Sequence, residues 1–154
     1  MKLPFAYVPW RRKEFNVKVI LVGTDGSDES MKAVRFAGQL ARDTGAHLSV
    51  VHAKETPWQW TPEYGAEHML AASEEIARRT EKRVGEELAT IGIPFTFQAR
   101  NDYPPDAIDD AADDLDADVI VVGSRGHSPA KRLLLGSVST RLVHRSHRPV
   151  LVVP

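Results

Sequence analysis

Five short apolar runs punctuate the chain: Lys18–Gly23, His47–Ala53, Phe95–Arg100, Asp118–Val122 and Pro149–Val153. Two are rich in β-branched residues and run into a glycine, and continuous rather than alternating apolarity is the mark of strands covered on both faces. The stretches between them carry helical periodicity instead. After Ser27, a capping residue followed by Asp28 and Glu29, the positions Ala33, Val34, Ala37, Leu40 and Ala41 share one face, and Gly45 stops the helix. A longer helix spans about 67–91, with Leu70, Ile76, Ala77, Val84, Leu88 and Ile91 predicted to face inward and Gly92-Ile93-Pro94 ending it. Pro104 or Pro105 opens a third, acidic helix, and Gly136-Ser137 precedes a fourth whose inner face holds Val138, Leu142 and Val143.

Strands alternating with helices in this way predict an α/β fold, a five-stranded open parallel sheet with right-handed crossovers and helices on both faces. Ligands of such sheets bind beyond the strands' carboxyl ends, where the strand order reverses. With strands one and four adjacent there, Gly23-Thr24-Asp25-Gly26 faces Gly123-Ser124-Arg125-Gly126 across one crevice. Residues 1–16 show no usable period and read as an N-terminal arm, with 17–154 as the domain. Phe5, Tyr7 and Trp10 are the arm residues able to hold it against the body.

A chain of 154 residues, 42% hydrophobic and 27% charged, suits one globular domain. No apolar run approaches the roughly 18 residues of a membrane span, and Leu3–Trp10 lacks the features of a cleavable signal, so the expectation is a cytoplasmic protein with no membrane partner. Without cysteine there is neither disulfide nor thiolate chemistry.

The net charge of −1 hides a division. Asp102 to Asp118 holds eight aspartates and no Lys or Arg, whereas Arg125 to Arg148 holds six Lys or Arg and no acid. Asp109, Asp110, Asp113 and Asp114 flank Ile108, Ala111, Ala112 and Leu115 as a solvated helix face would. In the basic block, glycines and hydroxyls coincide with a helix start, where free N–H groups and the helix dipole favour an anion. Ser137, Ser139 and Thr140 are candidate extra donors, and phosphate is the expected anion. The first helix, with Asp28 and Glu29 at its start, is a poor phosphate site by the same reasoning.

These residues resemble the universal stress protein family in its nucleotide-binding branch. The pattern GxxGxxxxxxxxxG(S/T) after strand four is met by Gly123, Gly126 and Gly136-Ser137. Asp25 after strand one, His52 near the end of strand two and the terminal Pro149–Val153 strand complete a resemblance over about residues 17–154. At Gly23 the chain departs from many nucleotide-binding members, which carry proline there. The resemblance implies a Rossmann-like fold of the adenine nucleotide alpha-hydrolase-like type and binding of ATP or AMP. It places adenine on the backbone of Ala53, the Gly23, Thr24 and Asp25 region near the adenosine, Gly123, Ser124, Arg125 and Gly126 beside ribose and phosphates, and Gly136, Ser137, Val138 and Ser139 on the phosphate chain. Mg²⁺ or Mn²⁺ would be carried by the phosphates, since no set of protein carboxylates makes a cation site. The resemblance also implies a homodimer paired through Val150–Val153, an apolar last strand expected at a sheet edge; the competing account is that the N-terminal arm or a loop shields that edge within one chain.

The expected role is an adenine-nucleotide-binding regulator of stress response or signalling, with slow ATP hydrolysis at most, because no general base is aimed at a γ-phosphate. Two alternatives stay open: an enzyme splitting ATP at the α-phosphate, faintly suggested by Thr24–Asp28, and a nucleotide-free scaffold. GxxxxGK(S/T), GxGxxG and GxSxG patterns are missing from the sequence. His127 reads as a phosphate contact or a solvated loop residue, His144 and His147 as a solvated helix end, and Trp58 and Trp60 as a cover for the base or for nearby apolar surface. The compact basic block lacks interleaved aromatics, so no nucleic-acid partner is expected.

Overall fold

A computed structural model describes residues 16–54, 66–126 and 135–154. The expectations for the N-terminal arm, for Trp58 and Trp60, and for His127 lie outside the described residues. In chain order the elements are β1 (Val19–Gly23), α1 (Asp28–Thr44), β2 (His47–Ala53), α2 (Ala66–Ala89), β3 (Phe95–Arg100), α3 (Pro104–Asp114), β4 (Val119–Gly123), α4 (Ser137–Arg145) and β5 (Val150–Val153). All strand pairs are parallel, in the order β3-β2-β1-β4-β5. The predicted architecture is therefore the one observed, with β1 and β4 adjacent at the centre.

The apolar strands are explained by what lies on each face. Ile20 and Val22 of β1, with Leu48 and Val50 of β2, join Ala33, Val34 and Ala37 of α1 and Val84 and Leu88 of α2 in one core layer. Leu21, Val51, Ile120 and Val122 point the other way, onto Ile108, Ala111 and Ala112 of α3 and Leu142 of α4. Every second residue of a central strand is thus buried on one side and its neighbours on the other.

Local signals set the helix limits. The Ser27 hydroxyl accepts the Ser30 N–H at 3.1 Å to cap α1, and Gly45 closes it in a left-handed conformation. Asp118, read as the first residue of the fourth strand, instead stands just before β4. Its carboxylate accepts the N–H groups of Lys18 and Val19 at 2.7 and 2.9 Å, clipping the start of β1 to that of β4.

The predicted inward face of α2 is correct only in its second half. Ala77, Val84 and Leu88 are buried, but Leu70 and Ile76 are 51% and 53% exposed. The first half of α2 extends past the carboxyl edge of the sheet, so it has no strand to cover and presents Met69, Ala72 and Ile76 to a crevice instead. Among the described residues no helix is long and apolar enough to cross a membrane.

Candidate functional site

The crevice has a volume of about 840 Å³ and opens at the carboxyl ends of β1, β2 and β4. It forms where the ladder between β1 and β2 stops. The last pair is Gly23↔Val51, after which Thr24 gives its N–H to Val51 O at 3.0 Å and the chain turns away. The turn is fastened from two elements. The Thr24 hydroxyl shares a 2.8 Å hydrogen bond with Ser30 of α1, and the Thr24 carbonyl accepts from His52 Nδ1 at 3.0 Å. A carbonyl can only accept, so that bond fixes the proton of the buried His52 on Nδ1. Gly26 takes φ 78°, a conformation that favours glycine, and Asp25 Oδ1 accepts the N–H and hydroxyl of Ser27 at 2.9 and 2.5 Å.

Ala53 contributes its backbone. In a parallel ladder each residue turns both its N–H and its C=O to the same neighbour, and successive residues alternate. Lys54 sends its N–H to Arg100 O of β3 at 2.7 Å. Ala53 therefore turns its own pair toward β1, beyond the point at which β1 has left the sheet. One donor and one acceptor thus face the crevice.

The opposite wall is the glycine loop. Ser124 joins it to its surroundings: its N–H donates to Val153 O at 2.7 Å, and its carbonyl accepts from the Gly136 N–H at 2.7 Å and from the Ser139 hydroxyl at 3.3 Å. A Cβ on Gly126 would overlap Asp25 Oδ2, and one on Gly136 would lie 3.3 Å from Ser124 O. A Cβ on Gly23 would come within 2.6 Å of Ile108 Cδ1, so the bare backbone there lets α3 close on the end of β1. Gly123 sits against the Glu29 carbonyl at the start of α1.

Gly136 is the N-cap of α4 and brings no side chain to satisfy the first turn, which contains no acid. The N–H groups of Ser137, Val138 and Ser139 precede any intrahelical partner, so donors and the positive end of the helix dipole face the crevice. α1 differs, with Asp28 and Glu29 in its first turn.

Two sequence expectations for this end need correction. Ser139 is 2% exposed and its hydroxyl donates to the carbonyls of Gly136 and Ser124, while the Thr140 hydroxyl points at Leu135 O. Both braced their own loop because a short helix start offers nearby carbonyls before it offers a ligand. Likewise the basic block is divided. Arg148 pairs with Asp113 and Asp116 at 3.1 and 3.2 Å, and Arg141 lies 3.9 Å from Asp106 and 5.2 Å from the Tyr103 ring centre. These cations join α4 and β5 to the acidic face of α3. Among the described residues, the cations lining the crevice are Arg125 and Lys54.

All twelve residues singled out in the sequence line the crevice except Ser124, which braces it: Gly23, Thr24, Asp25, Ala53, Gly123, Arg125, Gly126, Gly136, Ser137, Val138 and Ser139 come together there. Sequence reasoning missed Lys54 and the α2 residues Met69, Ala72 and Ile76. A lysine directly after a buried strand was the available signal for the first. The second was hidden because its spacing is that of an ordinary core stripe.

The fold and crevice define a parallel α/β domain with an open crevice at its central strand crossover. The sequence profile of the universal stress protein family matches residues 16–154, and the chain belongs to that family. A universal stress protein of Thermus aquaticus is 38% identical over 141 residues, covering 88% of this chain and 98% of the relative. A crystal structure of a universal stress protein in complex with cAMP is 29% identical and superposes with a TM-score of 0.70, covering 90% of this chain and 98% of that one. The universal stress protein UspA from Lactobacillus plantarum shares the fold at a TM-score of 0.81 and 24% identity, covering 90% and 99%.

Proposed function

We propose that the crevice binds an adenine nucleotide, ATP or AMP, and that this universal stress protein acts through occupancy of that site in stress response or signalling. One observation carries the reading: a single crevice holds the Ala53 donor and acceptor at one end and the acid-free first turn of α4 at the other. An aromatic base needs paired edge groups, and a phosphate needs convergent N–H donors. The relative solved in complex with cAMP supports the same ligand class.

Regulation fits this site better than turnover. Asp25 is the carboxylate lining the crevice among the described residues, and its Oδ1 is engaged by Ser27, which leaves it badly placed as a base toward a terminal phosphate. Among the described residues there is also no cluster of three or more His, Cys, Asp or Glu able to hold a metal, so Mg²⁺ or Mn²⁺ would travel with the phosphates of ATP. We infer further that two copies pair along β5.

Mass spectrometry of nucleotide released from the purified, denatured protein tests the site, with calorimetry of ATP and AMP against the stripped protein. ATP affinity is expected to fall in EDTA. Formation of AMP and pyrophosphate at about 1 per second or faster would assign an enzyme instead.

A further inference from the structure

Lys54 is 9% exposed, although an ammonium is among the groups least often buried. It lines the crevice directly after Ala53, and its ammonium is paired with Glu74 of α2, a carboxylate whose side chain is 58% exposed at the rim. An ammonium has three N–H donors. Glu74 takes one of them.

The surroundings say what the others could meet. Met69, Ala72 and Ile76 of α2 stand on one side of the sheet's carboxyl edge, and Pro104 and Ile108 of α3 on the other. A flat base fits between two such apolar walls, with its polar edge toward the end of β2. Along the chain, that end offers a donor and an acceptor from Ala53, and then the donors of Lys54. Adenine carries an acceptor on each side of its 6-amino donor, N1 on the Watson–Crick edge and N7 on the Hoogsteen edge. In the adenine-nucleotide reading Ala53 meets N1 and the 6-amino group, which leaves N7.

We propose that Lys54 is a base-recognition residue that donates a charge-assisted hydrogen bond to N7 of adenine, with Glu74 holding the ammonium in place. This rests on the adenine-nucleotide reading of the crevice and adds a third contact to it. The bond forms in a site from which the base expels water, so loss of the acceptor leaves a nearly buried ammonium facing carbon.

7-Deaza-ATP tests this, because it keeps N1, the 6-amino group and the phosphates but replaces N7 by C–H. Calorimetry of the wild-type protein is expected to show ATP binding about tenfold or more tightly than 7-deaza-ATP, the usual range for a charge-assisted bond. In Lys54→Met the two ligands should bind alike. Equal affinities in the wild type, with ATP clearly bound, overturn the role of Lys54 and leave the site standing. A preference for ATP that survives in Lys54→Met assigns N7 to another group and also overturns it. Failure of the wild type to bind ATP, 7-deaza-ATP or AMP removes the nucleotide reading itself, and this inference with it. The wild-type comparison holds even if the variant does not fold.

Discussion

At Gly126 a Cβ would overlap Asp25 Oδ2, so any side chain there must displace that carboxylate. Gly136 is less crowded but forms the N-cap from which the α4 donors fan out. Gly126→Asp and Gly136→Asp are therefore each expected to abolish nucleotide binding while leaving the fold intact by circular dichroism, since each brings a carboxylate onto the path of the phosphates. Calorimetry decides the matter, and unchanged ATP affinity in both variants would remove the crevice as the site. Ser137→Ala is a milder probe. One hydrogen bond is lost, for a cost of about 1 kcal/mol in binding. Ser139→Ala should act differently: its hydroxyl braces the loop through Ser124 and Gly136, so the loss belongs to loop order rather than to ligand contact.

Between elements, Asp118 has the clearest consequence. Hydrogen bonds from the backbone of Val19 and then of Lys18 hold its carboxyl below the ordinary value. A depressed value means that the ionised form is favoured by folding, so the contribution is complete above the unfolded value of about 4 and is lost as the pH falls through the folded one. Asp118→Ala is expected to cost about 2 kcal/mol at pH 7, the worth of one full bond to a charged acceptor, because the two here are partly exposed to water. Urea unfolding at pH 7 and pH 3 should show a smaller loss on acidification in the variant than in the wild type. An equal loss in both would show that the clip contributes nothing.

Asp118 also illustrates what could be read from the residue pattern. The apolar run 119–122 marked β4, and period alone extended it to Asp118, because a carboxylate that caps a neighbouring strand through 99 and 100 residues of separation has no local signature. Most of the crevice was legible for a related reason: Gly23–Gly26, Gly123–Gly126 and Gly136-Ser137 are punctuation at strand and helix ends, and strand order alone brings them together. The face of α2 was not. Its spacing is the same whether a helix covers a strand or overhangs the sheet edge, and the exposure of Leu70 and Ile76 is what distinguishes the two.

For the molecule as a whole, β5 is an edge strand, as its place at the end of the sheet order shows. Pro149 and Val153 direct their carbonyls to β4, by bonds from Ile120 and Ser124. By alternation, Val150 and Val152 turn their N–H and C=O groups outward, a row that a second copy can pair with. Val152→Pro removes one outward donor and spares the ladder with β4. Sedimentation is expected to give a dimer for the wild type and a monomer for this variant at micromolar concentration. A monomeric wild type would refute pairing through β5.

The position of β1 at the centre has a consequence for biosynthesis. Of the described strands it is the first in chain order, and it needs neighbours on both edges. β2 follows within about 30 residues, but β4 begins only at Val119, about 100 residues after Val19. At ~5–20 residues per second of elongation the nascent chain therefore waits on the order of 5–20 s with Ile20, Leu21 and Val22 open along one side. Parallel pairing over so long a separation is also slow to close. The stretch that forms the middle of the finished sheet is thus the one most in need of protection while the protein is being made.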